Sequence, residues 1–297
     1  MGCSPRSRWS SRVRRAGRLG ALLVSAPVLA AVFVVGGAAS AGASPASYVA
    51  LGDSYTAGAG ILPLASGISP LCLQSALNYP HLIAGSAGYS LTDVSCSGAT
   101  SGNMTSSQYP GVGPQFDALT PSTNLVSVGI GGNDNNLFGT ALVACGIIDL
   151  PDFLNIGAPC KAVFGNTFSN DIASDASTIA GVLQGIHSRS PGAKVVMVGY
   201  PDILPQSGNC YPTMPLTTGD TSYLNGVEKQ LNSMLATEAA ANGATFVDTF
   251  TPSIGHDSCK PSNVRWVNPI IATNGGISVH PDPAGEAEMA VLVGAAL

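Results

Sequence analysis

Five short apolar runs, at residues 48–52, 91–94, 125–130, 195–199 and 245–247, set the terms for this chain. Each is too short for a buried helix and has the length of a strand covered on both faces. Between them, apolar residues recur at helical spacing: Ile172, Ala176, Ile179, Leu183 and Ile186, then Leu224, Val227, Leu231, Leu235 and Ala239. Asn242-Gly243 stops the second of these helices before the fifth run, and residues 284–297 read as a last short helix. Strand alternating with helix predicts an α/β chain with a parallel sheet and helices on both faces. In such sheets the working residues gather beyond the carboxyl ends of the strands. Residues 61–78 and 136–166 are rich in Gly, Pro and Cys without clean periodicity, so they are expected as long loops walling a site.

The first 43 residues read as an export signal and not as fold. Six arginines between Arg6 and Arg18 precede an apolar stretch at 19–35, and Ala41-Gly42-Ala43 offers a small-residue cleavage site. A retained membrane anchor is the competing reading, but the stretch sits at the short end of what spans a bilayer, about 17–25 residues. Arg14-Arg15 leaves the export route open. One domain, residues 44–297, is expected to follow, with no stable membrane insertion. All seventeen acids and only six of the twelve basic residues lie in that domain, so its formal charge is −11 against −5 for the whole chain. Such a surface repels polyanions, and nucleic acid is not an expected partner.

Cys3 leaves with the signal, and Cys72, Cys96, Cys145, Cys160, Cys210 and Cys259 remain. An even count in an oxidising compartment, without Cys-x-x-Cys or His-x-x-x-His spacing, reads as disulfides and not as a metal site. Six cysteines allow fifteen connectivities. Pairing neighbours in order, Cys72–Cys96, Cys145–Cys160 and Cys210–Cys259, is the favoured one because each bridge closes a loop-rich segment.

The first run empties into Gly52-Asp53-Ser54-Tyr55, and small residues follow from Thr56 to Gly60. A serine nucleophile needs a base for its proton and donors for the oxyanion that forms. Three other junctions supply candidates. Gly98, after the second run, can bring a bare backbone N–H close to a substrate. Asn133, in Gly131-Gly132-Asn133-Asp134 after the third run, carries a side-chain amide. His280, in Val279-His280-Pro281-Asp282, stands on the loop entering the last helix. Each is ordinary alone: Gly-Asp-Ser is a common turn, glycines make turns, and asparagine caps helices. Their joint placement at element junctions of one sheet is what points to catalysis.

These four blocks resemble those of the GDSL/SGNH hydrolases, and the similarity runs from Tyr48 to Gly285. Secreted lipases and phospholipases of actinomycetes are the nearest in pattern. The resemblance implies a three-layer α/β/α sandwich with a flavodoxin-like sheet, and ester hydrolysis without cofactor or metal. It implies Ser54 as nucleophile and His280 as general base, then general acid. The N–H groups of Ser54 and Gly98 and the Asn133 side chain would form the oxyanion hole. Many relatives carry Asp three residues before the histidine, where this chain has Ile277, whose side chain accepts no hydrogen bond. A Ser54–His280 dyad is therefore expected, with the backbone carbonyl of Ser278 holding the imidazole.

Other titratable groups read as scaffold. His256-Asp257 is a loop pair beside Cys259, His81 follows Tyr79-Pro80 at a helix start, and His187 ends a helix where a cation suits the dipole. Asp53 is expected to fix its turn through backbone N–H groups, and Asp134 to serve as scaffold. Tyr55 and Trp266 are candidates for an acyl pocket or for the core. The leading function is a secreted, monomeric esterase of lipid acyl esters, supported by the apolar loops at 61–64 and 138–143. An acetyl-polysaccharide esterase and a non-catalytic binding module are the alternatives. An α/β-hydrolase would need Gly-x-Ser-x-Gly, and position 56 is Thr. A flavodoxin-type carrier would need a phosphate-cradling first loop that Asp53 and Tyr55 do not provide.

Overall fold

The five expected strands form one parallel sheet, each with bounds within one residue of the sequence reading: β1 (Ser47–Gly52), β2 (Ser90–Asp93), β3 (Leu125–Gly129), β4 (Lys194–Val198) and β5 (Thr245–Val247). The structure, a computed structural model, describes residues 44–271 and 273–297. The expected signal at 1–43 lies outside them. Strand order is β2-β1-β3-β4-β5. The chain therefore leaves β1 toward one edge and returns to β3 on the other side, which opens a crevice at the carboxyl ends of β1 and β3.

Strand side chains alternate between faces, and the alternation makes the layers. Val49, Leu51, Val126, Val128, Val195 and Met197 belong to a core with Ile179, Leu183, Leu231 and Leu235. Tyr48, Ala50, Val196, Val198 and Val247 belong to another with Tyr79, Ile83, Met289 and Val293. The helices are α1 (Ser54–Ala57), α2 (Tyr79–Ala87), α3 (Cys145–Asp149), α4 (Pro159–Phe164), α5 (Thr167–Arg189), α6 (Thr218–Ala241), α7 (Phe250–Ser253) and α8 (Pro283–Ala296). Helices α5 and α6 cover the first face, while α2 and α8 cover the second, giving an α/β/α sandwich. Each fully buried Val or Leu contributes about 1.5–3 kcal/mol to such a core.

One expectation fails. Residues 136–166 are largely helical: a π-type stretch at Gly139–Ala144 runs into α3, and α4 follows after a turn. Gly139, Gly146, Pro151, Gly157 and Pro159 break the period by which a helix is recognised, and apolar residues occupy both of its faces. Residues 61–78 hold a single 3-10 turn, Pro70–Cys72. Disulfides join Cys72 to Cys96, Cys145 to Cys160 and Cys210 to Cys259. Among the described residues no helix is long and apolar enough to cross a membrane.

Candidate active site

Strand β1 ends against β3 at a point where no side chain fits. A Cβ on Gly52 would lie 2.6 Å from the Gly129 carbonyl oxygen. The Gln115 amide clamps Gly52 from both ends, accepting its N–H at 2.7 Å and donating to its carbonyl at 2.9 Å. Asp53 then caps α1: its Oδ1 accepts the Tyr55 N–H at 2.9 Å. Ser54 is the first helical residue and is 5% exposed.

His280 arrives from the loop before α8. Its Nε2 lies 2.7 Å from Ser54 Oγ, and its Nδ1 lies 2.7 Å from the Ser278 carbonyl oxygen. A carbonyl only accepts, so the neutral ring carries its proton on Nδ1 and presents the Nε2 lone pair to the Ser54 hydroxyl. That arrangement can take a proton from the serine. Burial lowers the His280 pKa from 6.5 to about 4, and the Ser278 carbonyl opposes the shift only in part.

The loop that carries the ring is fixed by residues with no sequence signature. The buried Asn268 donates its N–H to the His280 carbonyl at 2.8 Å and accepts the Val279 N–H at 3.0 Å. Its side chain donates to the Gly275 carbonyl at 2.5 Å. The Tyr55 hydroxyl donates to the Val279 carbonyl at 2.5 Å, and its ring lies 4.7 Å from the imidazole.

Gly98 and Asn133 reach the same cleft from the ends of β2 and β3. Gly98 adopts φ +77°, a conformation that favours glycine. Among the described residues neither the Ser54 N–H nor the Gly98 N–H makes a hydrogen bond. The Asn133 side chain donates one amide hydrogen to the Ala99 carbonyl at 3.0 Å and keeps a second donor. Asp134 acts as scaffold, accepting the Ser101 N–H at 2.8 Å and the Ser101 hydroxyl, which ties the β3 loop to the β2 loop.

Tyr200 joins the remaining pieces, and the sequence reading missed it. Its hydroxyl accepts the Gly132 N–H at 2.8 Å and donates to Asp53 Oδ2 at 2.6 Å. Burial pushes the Asp53 pKa up to about 7, with the bond from Tyr200 acting against the rise. Tyr200 stands just beyond β4, at a carboxyl end, so the placement rule that found the other residues reaches it too. Gln115 opens a short 3-10 helix, Gln115–Ala118, and Asn268 stands in a loop, and neither carries such a signal.

The cleft holds about 540 Å³ and is walled by Phe138, Leu142, Ile147, Pro215, Ile270 and Ile277 beside Ser54 and His280. Residues 138–143 contribute as expected, but residues 61–64 do not line it. Ile61 is buried in the fold, and Leu64 bridges to Ser75. Tyr55 lines the cleft, whereas Trp266 is stacked on His256 at 4.0 Å. That stack, and a 2.6 Å bond from His256 Nδ1 to the Val264 carbonyl, keep His256 in its own loop. Asp257 accepts the Cys259 N–H and pairs with Lys260 at 3.5 Å. His81 bonds to Asn78 and lies 3.5 Å from Asp93, and His187 lies in the last turn of α5.

A model of the GDSL-like lipase/acylhydrolase family matches residues 50–287, spanning all four blocks. The chain belongs to this family. As a GDSL-like acylhydrolase it is a carboxylic ester hydrolase. It is 42% identical over 257 residues to Lipase 2 of Streptomyces coelicolor, covering 85% of this chain and 86% of the relative. Among solved structures, phospholipase A1 from Streptomyces albidoflavus superposes with a TM-score of 0.70 at 30% identity, covering 84% of this chain and 98% of that one. The extracellular lipase from Streptomyces rimosus gives 0.71 at 28% identity, covering 85% of this acylhydrolase and 100% of that chain.

Proposed function

We propose that this acylhydrolase is a secreted, monomeric serine esterase of lipid acyl esters, working through a Ser54–His280 dyad after residues 1–43 direct its export. The observation that carries the reading is the 2.7 Å contact between Ser54 Oγ and His280 Nε2 at the edge of an apolar cleft. In the first step His280 Nε2 takes the Ser54 proton as Oγ attacks the ester carbon. The N–H groups of Ser54 and Gly98 and the free Asn133 amide hydrogen hold the oxyanion. The imidazolium returns its proton to the departing alcohol, leaving an acyl–Ser54. Water then attacks that ester with His280 again as base, and collapse releases the acid and restores the serine.

Lipid is favoured over acetylated polysaccharide because the cleft is large and its walls beyond the polar end are aliphatic or aromatic. An acetyl group would leave most of that apolar surface wet. The names of the relatives, lipase and phospholipase A1, point the same way.

Ser54→Ala should cut hydrolysis of p-nitrophenyl butyrate by at least about 10³-fold. Turnover within tenfold of the parent would remove Ser54 from the chemistry. Initial rates on triglyceride, phosphatidylcholine, lysophospholipid and acetylated xylan should favour the lipids, and preference for xylan would overturn the substrate class.

A further inference from the structure

Residues 139–156 have an apolar outer face as well as an inner one. Ala141, Leu142, Cys145 and Gly146 are buried, while Val143, Ile147 and Leu150 turn outward at near-helical spacing. The stripe continues into Phe153, Leu154 and Ile156, with Ile147 66% and Phe153 72% exposed. Isolated exposed leucines are ordinary, but six large apolar side chains within fourteen residues are not.

Two observations say what this face meets. First, Val143, Ile147 and Leu150 also line the cleft, so the stripe is continuous with the acyl-pocket mouth. Second, the only charged residues between 137 and 160 are Asp149 and Asp152. Asp149 accepts the Thr217 N–H and Asp152 the Ile156 N–H, so both carboxylates are engaged by backbone. No cation lies within residues 137–160 for an anionic headgroup, Lys161 being the first beyond them, and the domain's charge of −11 repels anionic surfaces.

The tip is also held in shape. Asp220 accepts the N–H groups of Cys160 and Lys161, each at 2.8 Å, and Asn155 accepts the Thr218 N–H at 2.6 Å. With the Cys145–Cys160 disulfide, these bonds fix the stripe on α6.

We propose that the outer face of residues 143–156 docks on a lipid surface without net charge and sets the acyl-pocket mouth against it. The proposal deepens the esterase reading and rests on it: the same site receives its ester from an aggregate.

The test separates the two. Ser54→Ala protein, silent in catalysis, is floated with phosphatidylcholine or phosphatidylglycerol vesicles. It should partition onto phosphatidylcholine, and more weakly onto phosphatidylglycerol. Phe153→Ser/Leu154→Ser/Ile156→Ser on that background should lower partitioning at least about tenfold. With Ser54 restored, the triple variant should keep the parent rate on soluble p-nitrophenyl butyrate, because these three side chains lie outside the cleft lining. Phe153→Trp supplies a variant that keeps the apolar face, and its added emission should shift to the blue with phosphatidylcholine vesicles. Equal flotation of variant and parent, or no blue shift, overturns the docking surface. Stronger flotation with phosphatidylglycerol does so too, and a dimer that the substitutions dissociate assigns the face to a second copy instead. Failure of the esterase reading would look different: no hydrolysis of the soluble ester by the unsubstituted protein.

Discussion

At His280 one nitrogen faces a carbonyl and the other a hydroxyl; the Ser278 carbonyl favours the charged ring, and burial outweighs it. Burial lowers its pKa to about 4, so the base form survives to that pH. As pH falls, kcat/KM for a soluble ester should hold through 6.5 and drop only near 4, because protonation removes the Nε2 lone pair. A descent centred at 6.5 would mean that water reaches the ring in the free enzyme. Ser54, Gly98, Asn133 and His280 were legible because each stands at an element junction where its chemistry has a use. Asn268 was not, because its work is done through backbone groups and a turn that no spacing announces. Ile277 was read only as a missing acceptor, whereas the structure makes it a wall of the cleft.

Helix α4 owes its start to α6. Asp220 sits in the first turn of α6, yet its carboxylate accepts two N–H groups from the first turn of α4. The orphan donors of a short helix are thus satisfied from outside it. Asp220→Asn keeps the size but removes the charge and one acceptor, and should cost about 1.5–3 kcal/mol. Thermal unfolding should register this as a midpoint lower by several degrees, and an unchanged midpoint would mean that the Asp220 carboxylate does not hold the start of α4. All five strands were readable, since short apolar runs between helices have few other uses. The helical arm at 139–164 was hidden because its glycines and prolines mimic loop composition while tertiary bonds supply what its own sequence lacks.

Across the whole molecule, burial pushes carboxyl pKa values up, to about 7 at Asp53 and about 6 at Asp202. A raised carboxyl pKa means that the folded state holds the proton more tightly than the unfolded chain. The associated stability is full below the ordinary value of 3.8 and is lost as pH rises through about 6 to 7. His280 acts oppositely, its contribution fading as pH falls from 6.5 toward 4. The melting temperature should therefore be higher at pH 5 than at pH 8, and a flat profile would mean that these carboxyls are ionised within their hydrogen bonds. Layering and strand polarity followed from alternation alone, but the Gly132–Tyr200–Asp53 bridge spans three separate strand ends and belongs to no local pattern. The oxygen that steadies His280 belongs to the main chain, and no single codon change can delete it. With the dyad proposed above, a new side chain at Ile277 would reshape the cleft wall and leave the His280–Ser278 bond in place, so the groups that shape the cleft and the group that orients the base are separate.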